Sequence, residues 1–540
     1  MINPISLYDY LIIIIYFIVV LGIGLSFRNR DKNLTDYFLA GRNLGWFTIG
    51  ISMFATNISS EHFIGLAGQG AARGLAVAQF ELIAIFLLIL LGWIIAPIYK
   101  KTGILTTPEF LEKRFNTAAR KLFSGLSIAT YIVTKILVTL FASGILFNKI
   151  LGLNIFSSAV IIVFLTGIYS LVGGFSAVIR TQILQGILLI LGAVLLTIFS
   201  LNEVGGFSGL TAKLPAEHFQ MLKPFTDPDF PWTGIIFGAP IIAFWYWCAD
   251  YYMVQRILGS KSINDAQTGT ILTSILKILP IFILVLPGLI AFALFPEIRG
   301  DEAYPVLLAS DILPNGIKGL VIVGFLSAVM SSLSASFNSI AALYTIDFYK
   351  PKHPNASDRT LVLVGRMATI ITIFVVILLI PFVKIVNSHI YIFLQSTQAF
   401  VSAPIAAVFI FGLTFKKVTA KSAVISLIVG ESLGALRFII EFLNKSELLS
   451  NSFLIYYAQI NYLHFTIFLF FVTSIMLFAF SYIFASKPDS NRQNVGLYYS
   501  ENYYFDIQTE GISDFSRSKY KFILTFGVLI LTLSLWYFFV

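Results

Sequence analysis

The stretch Thr56-Asn57-Ile58-Ser59-Ser60 lies in the middle of an otherwise apolar run, residues 45–70, long enough to cross a bilayer. Hydrocarbon offers no partner to a freed backbone amide or carbonyl. A polar cluster at that depth therefore predicts a helix broken there, with its polar atoms lining a cavity or buried in protein. A second interruption, Trp247-Cys248-Ala249-Asp250, lies five spans further on. Paired breaks at corresponding positions accompany internal repeats in transporters. They predict two five-helix repeats, residues 44–201 and 232–415, and an odd number of crossings in each makes their topologies opposite.

The rest of the chain is in keeping with this. Of 540 residues, 57% are apolar and 12% charged, with a mean hydropathy of +0.87, whereas a soluble surface carries roughly 25–35% charged residues. Soluble enzymes and nucleic-acid binders are thereby excluded, despite a formal charge of +9. Apolar runs recur from Leu7 to Val540 and give about fourteen candidate spans. They lie near 7–26, 45–70, 75–99, 121–148, 155–172, 181–201, 233–255, 267–294, 316–346, 361–383, 389–414, 422–442, 458–485 and 520–540. The interruptions 202–232 and 487–519 are too short and irregular for an independent core. The expected fold is an all-α polytopic membrane protein in one domain, residues 1–540. An extra N-terminal helix occupies 7–26, read as a retained span, and peripheral helices occupy 416–540.

Most of the 36 Lys and Arg fall in alternate loops, among them Arg28, Arg30, Lys32, Lys100, Arg256, Lys416, Lys487 and Arg492. Basic excess marks cytoplasmic loops. Both termini are therefore expected outside a plasma (bacterial inner) membrane, and the sequons at Asn33 and Asn355 inside it, without glycan. Cys248 has no disulfide partner in the chain and is expected to be a packing residue. No Cys/His cluster suggests a structural metal, and no GxxxxGK[ST] pattern suggests pumping by ATP. The Gly173-Gly174 pair reads as a short turn between spans. No GxSxG or His-Glu zinc pattern supports an intramembrane enzyme. Organic cofactor, nucleic acid and an obligate protein partner are not expected.

Ionisable groups inside spans cost a few kcal/mol even on lenient scales, which singles out Glu81 and Lys277. Two readings stand: hydrogen-bonding groups for a polar solute, or a buried ion pair or snorkelling head group. Lys135, Glu431, Arg437 and Glu441 are expected to be structural, and Lys135 has the reach to snorkel. His62 follows the first break and suits hydroxyl recognition, although a lone histidine is more often structural. Gln395 adds an uncharged donor and acceptor. The serines of 327–336 allow a cation site, in which Ser331, Ser332 and the Ala328 carbonyl meet carbonyls released around Ala55 and Ile58. They equally allow a small-residue helix seam, which the pattern alone favours. Phe244-Trp245-Tyr246-Trp247 suits the C–H faces of a sugar ring, or an interfacial belt. Neutral hydrogen-bonding groups outnumber charges, which points to a neutral, hydroxyl-rich solute.

Several of these words also occur together in a known order. Asp36-Tyr37-Phe38-Leu39-Ala40-Gly41-Arg42, Phe54-Ala55-Thr56-Asn57-Ile58-Ser59, Trp245-Tyr246-Trp247-Cys248, Val254-Gln255-Arg256 and Met330-Ser331-Ser332-Leu333 resemble the sodium/solute symporter family. The likeness covers essentially the whole chain and is nearest to the sodium/glucose and sodium/galactose cotransporter branch. It implies a LeuT-like core of two inverted repeats, with alternating access driven by sodium. It implies a sodium ion held by backbone oxygens of Ala55, Ile58 and Ala328 and hydroxyls of Ser331 and Ser332, which reverses the helix-seam preference. It implies a sugar site in which Asn57, His62, Glu81, Trp247, Lys277 and Gln395 hydrogen-bond, Tyr246 stacks as inner gate and Phe80 packs on the outer side. His62 and Phe80 resemble the animal glucose transporters, where the bacterial galactose type tends to have Gln and Tyr.

The sequence departs from the family pattern at Gln182, where an aspartate tied to cation passage or a second sodium site is common. Ala84 and Ala243 replace positions that often carry hydroxyls. The expected activity is secondary active import of a neutral sugar, a galactose- or glucose-like hexose or an inositol, with one sodium per sugar. The alternatives are a same-family symporter for sialic acid, a carboxylate or a vitamin, and a sugar sensor that binds without transport.

Overall fold

The computed structural model describes residues 5–27, 33–381, 390–484 and 515–539, the last segment with side chains from residue 519. Arg28, Arg30, Lys32, Lys487, Arg492 and Val540 lie outside the described residues. Among the described residues the regular structure is helical, and extended pairing is confined to the isolated bridges Leu44–Ser260 and Lys223–Pro231. Among the described residues eleven helices are long and apolar enough to cross a membrane, so the chain is a multi-pass membrane protein.

Helix starts are fixed by side-chain caps. Asn116, Asn154, Ser262, Ser357 and Thr419 each accept a hydrogen bond from the amide three residues on, satisfying an N–H that has no helical partner. Basic residues close carbonyl ends on one face. Arg42 bonds the carbonyls of Gly103 and Ile104, Lys113 that of Thr102, and Arg114 those of Gly412, Phe415 and Val418. The charges that mark orientation in the sequence thus also satisfy helix C-termini. Arg256, counted with the loop cations, is an exception: it is wholly buried, below the first break.

The helical run Ile155–Glu203 spans 49 residues, too many for one crossing of a ~30 Å hydrocarbon core at ~1.5 Å per residue. It bends at Gly174, where φ is 54° and ψ −156°. The backbone there is not helical, so the run is two helices joined at Gly174, the turn between two spans that the sequence predicts, at a positive φ that glycine adopts readily. The central element is the serine-rich helix Ile317–Leu343, whose apolar window is 94% buried, against 22% for Leu7–Ser26 and 17% for Lys519–Phe538. Gly192 and Gly324 let the long helix approach this central one closely, since a Cβ on Gly192 would sit 3.1 Å from the Gly324 Cα.

Candidate functional site

The first break separates Trp46–Asn57 from Ser60–Arg73. Ile58 and Ser59 are extended, at φ/ψ of −78°/115° and −131°/−175°. The amides of His62 and Phe63 both donate to the Ser59 carbonyl, so the ladder restarts there and leaves the preceding carbonyls without helical donors. Hydroxyls from other helices take up two of them. Ser331 Oγ donates to the Ala55 carbonyl at 2.6 Å and lies 2.9 Å from that of Ala328. The Thr56 carbonyl accepts from Ser332 Oγ at 3.0 Å and from the Tyr252 hydroxyl at 2.9 Å. Three of the five expected cation ligands, the Ala55 and Ala328 carbonyls and Ser331 Oγ, therefore converge. Ser332 reaches Thr56 beside them, and Ile58 is fully buried at the break itself. Buried, neutral oxygens of this kind fit a small monovalent cation.

Gln182 lies behind this cluster. Its amide donates to the Ser331 carbonyl at 3.1 Å, and its oxygen lies 3.4 Å from the Arg256 guanidinium. Arg256 also donates to Thr56 Oγ1 at 2.8 Å and to the Tyr252 carbonyl.

The second break ends a helical segment at Ala249 and starts Tyr251–Leu258. The Asp250 amide bonds the Trp245 carbonyl at 2.8 Å, while its side chain caps the new helix by accepting from the Tyr252 amide at 3.2 Å. The Tyr131 hydroxyl donates to the same carboxylate oxygen, and the other oxygen lies 4.0 Å from Lys135 Nζ. Lys135 is 3% exposed and sits 3.8 Å over the Tyr246 ring. It does not snorkel to an interface as the sequence suggests; a carboxylate and an aromatic face on neighbouring elements hold it inside.

All eight residues expected at the sugar site, Asn57, His62, Phe80, Glu81, Tyr246, Trp247, Lys277 and Gln395, line one cavity of about 60 Å³. Lys277 Nζ donates to Asn57 Oδ1 at 2.7 Å and pairs with Glu81, the ammonium lying 5.6 Å from the Trp247 ring centre. Glu81 and Lys277 are thus a buried pair inside the candidate site, so the two readings of these residues coincide. Asn57 Nδ2 donates to the Tyr246 hydroxyl at 3.1 Å. His62 Nδ1 faces the Ser59 amide at 3.5 Å, and Gln395 donates to the Tyr391 hydroxyl at 3.4 Å. The Phe80 ring meets Tyr391 at 5.8 Å and Phe230 at 6.1 Å. Ala84 and Ala243 also line the wall, so the hydroxyls absent from those positions are absent from the cavity itself.

Sequence reasoning missed Glu61, Tyr391 and Gln398, which also line the cavity. Glu61 is buried, accepting from Thr139 Oγ1 at 2.9 Å; its position just after the break was the available signal. Tyr391 and Gln398 flank Gln395 by one helical turn on either side, the spacing that shares a face. Arg437 is structural as expected, donating to the carbonyls of Tyr457, Ala458 and Ile460.

Two interrupted helices around a buried polar cavity, in an all-helical membrane chain, define a LeuT-like fold. A solved Na+-coupled sialic acid symporter, substrate-bound and outward-open, superposes with a TM-score of 0.75 at 23% identity, covering 89% of this chain and 98% of that one. A nucleobase-cation-symport-1 family transporter in a closed conformation gives a TM-score of 0.51 at 15% identity, over 84% and 97%. The sodium:solute symporter family profile matches residues 37–430. Sodium/glucose cotransporter 1 of Ovis aries is 36% identical over 519 residues, 88% of this chain and 78% of that protein. Sodium/glucose cotransporter 2 of Rattus norvegicus is 35% identical over 89% and 79%, and sodium/myo-inositol cotransporter 2 of Sus scrofa 36% over 81% and 70%. The chain belongs to the sodium:solute symporter family, and is thus a transporter rather than an enzyme.

Proposed function

We propose that this protein imports a neutral hexose or cyclitol together with one sodium ion by alternating access. The observation that carries the reading is that both candidate sites share one turn of helix. The Ala55 and Thr56 carbonyls meet the serine hydroxyls, and Asn57, the next residue, bonds Lys277 and Tyr246 in the cavity. A cation that draws on Ala55, Ile58, Ala328, Ser331 and Ser332 fixes the break and thereby the Asn57 side chain. Sodium then raises sugar affinity, and by linkage sugar raises sodium affinity equally.

The cavity is far smaller than the ~300–1,000 Å³ of ordinary ligand pockets. Sugar therefore replaces the Asn57–Lys277 and Asn57–Tyr246 bonds as the walls part, its hydroxyls bonding Asn57, His62, Glu81, Trp247, Lys277 and Gln395. Tyr246 closes the inner side, and Phe80 the outer. The two ammonium groups in the cavity wall, Lys277 and Lys135, each lie beside a carboxylate, which favours a neutral solute over an anionic one. Gln182 supplies no negative charge next to Arg256, which supports one sodium per cycle.

One charge falling through about 100 mV provides roughly 2.3 kcal/mol. A tenfold sodium gradient adds about 1.4 kcal/mol, and the sum sustains an accumulation of roughly a few hundred-fold. We place the basic face in the cytoplasm and both termini outside a plasma membrane. We count fourteen crossings by splitting the run 155–203 at Gly174, taking 46–73 apart from 79–102, and adding the broken helix 234–258 to the eleven long apolar helices among the described residues. The repeats are taken as 44–201 and 232–415.

The test is uptake of labelled galactose, glucose and myo-inositol into proteoliposomes under an inward sodium gradient, against potassium and proton gradients of equal size. Accumulation of one solute with sodium alone is the expected result. Binding without accumulation would turn the reading into that of a sensor, and uptake under any cation gradient would remove sodium coupling.

A further inference from the structure

We propose that Phe230, in the segment joining the two repeats, is a positioning residue for the sugar site that holds Phe80 in place as the outer wall of the cavity. The proposal rests on the sugar-symport reading and extends it to a part of the chain that contributes no cavity-lining residue. Phe80 is flanked by two rings: Tyr391 from within the cavity, edge-on at 76°, and Phe230 from behind, edge-on at 71°. Phe230 is fully buried although it lies in irregular chain, so a structure outside the repeats has been built to deliver an aromatic ring to this spot.

The delivery is rigid. The Asp227 carboxylate accepts from the amides of Asp229 at 3.0 Å and Phe230 at 2.8 Å, a side-chain-closed turn that fixes the backbone of Phe230. The Asn461 amide donates to the carbonyls of Pro228 at 2.7 Å and Asp229 at 3.3 Å. Arg73, at the end of the half-helix that follows the first break, grips Asp229 through Nε and a terminal nitrogen, both at 2.7 Å. Gln79, the residue before Phe80, donates to the Met221 carbonyl at 2.6 Å. The segment is therefore tied to both ends of the short turn Gly74–Ala78 that leads into Phe80. It lies on the face opposite the helix ends closed by Arg42, Lys113 and Arg114. With Phe230 removed, Phe80 loses the ring behind it and turns out of the wall, and sugar escapes toward that face.

The experiment compares wild type, Phe230→Ala, Phe230→Tyr and Asp229→Ala, each as the full chain in proteoliposomes, for sodium-driven uptake of whichever sugar the wild type accumulates. Phe230→Ala is expected to raise the half-saturating sugar concentration about two- to tenfold, the range of one aromatic pair. The maximal rate and the sodium half-saturation at saturating sugar stay near wild type. Phe230→Tyr keeps the wild-type sugar value, and Asp229→Ala, which releases Arg73 and leaves the ring chemistry intact, moves it in the same direction by less. An unchanged sugar value in both Phe230→Ala and Asp229→Ala overturns the role of Phe230 while leaving sugar symport standing. A fall in maximal rate with no change in sugar half-saturation does the same, since it reports general structural damage. Wild-type vesicles that accumulate no sugar under sodium overturn the underlying reading, and this role with it.

Discussion

The two interrupted helices solve the same problem in opposite ways. At 56–60 the chain supplies no charge to the carbonyls it frees, and hydroxyls of Ser331, Ser332 and Tyr252 on other elements meet them. At 247–250 the chain closes its own gap: Asp250 caps the restarted helix and binds Tyr131 and Lys135. A gap met by neutral hydroxyls can exchange them for an ion with little electrostatic penalty. A gap closed by its own carboxylate beside a buried ammonium cannot do so cheaply, because either charge left alone is costly. The first break is thus suited to a ligand that comes and goes, and the second to a fixed hinge.

The largest effect should come from attacking the hinge. Asp250→Ala is expected to destabilise the protein by about 3–5 kcal/mol by leaving Lys135 buried without its partner, read as a lower unfolding temperature in detergent, sodium present or not. Adding Lys135→Met should recover part of the loss; a single variant as stable as wild type would erase the contrast between the breaks. Next comes the pair between them. Glu81→Gln and Gln395→Ala should each weaken sugar binding by about 1–3 kcal/mol in equilibrium binding assays, and wild-type affinity in both would return these residues to a structural role. At the exchangeable break the effect is smaller. Ser332→Ala should raise the sodium concentration for half-maximal uptake about fivefold, the value of one hydrogen bond of about 1 kcal/mol, with an unaltered unfolding temperature. Smallest is Gln182→Leu, which removes one donor from the Ser331 carbonyl and should cost sodium affinity about 0.5–1 kcal/mol without changing the sodium-to-sugar ratio of tracer fluxes. A changed ratio would mean that Gln182 belongs to a second ion's path.

What was legible in the sequence was whatever a polar residue at membrane depth betrays. Asn57, Glu81, Lys277 and Gln395 stood out because hydrocarbon tolerates them poorly, and both breaks were visible for the same reason. Lys135 stands out equally, but its surroundings are not legible, because they come from positions 246 and 250 and no local spacing joins these to 135. Arg256 looked like one more loop cation, since a sequence count sees charge and not burial. Tyr391 was invisible, an aromatic in a chain that has 24 tyrosines, until the fold set its ring beside Phe80. The turn at Gly173-Gly174, by contrast, is legible, because a glycine pair inside an apolar run marks a change of chain direction.

Cys248 is the one thiol in the sequence. It is buried between Trp247 of the sugar wall and the hinge at Asp250, its Sγ 3.6 Å from the Leu87 carbonyl. A sulfur that faces the Leu87 carbonyl and is not part of the cavity lining is shielded from water-borne alkylating reagents, so the thiol in this conformation resists modification and the chain can be handled without a reductant.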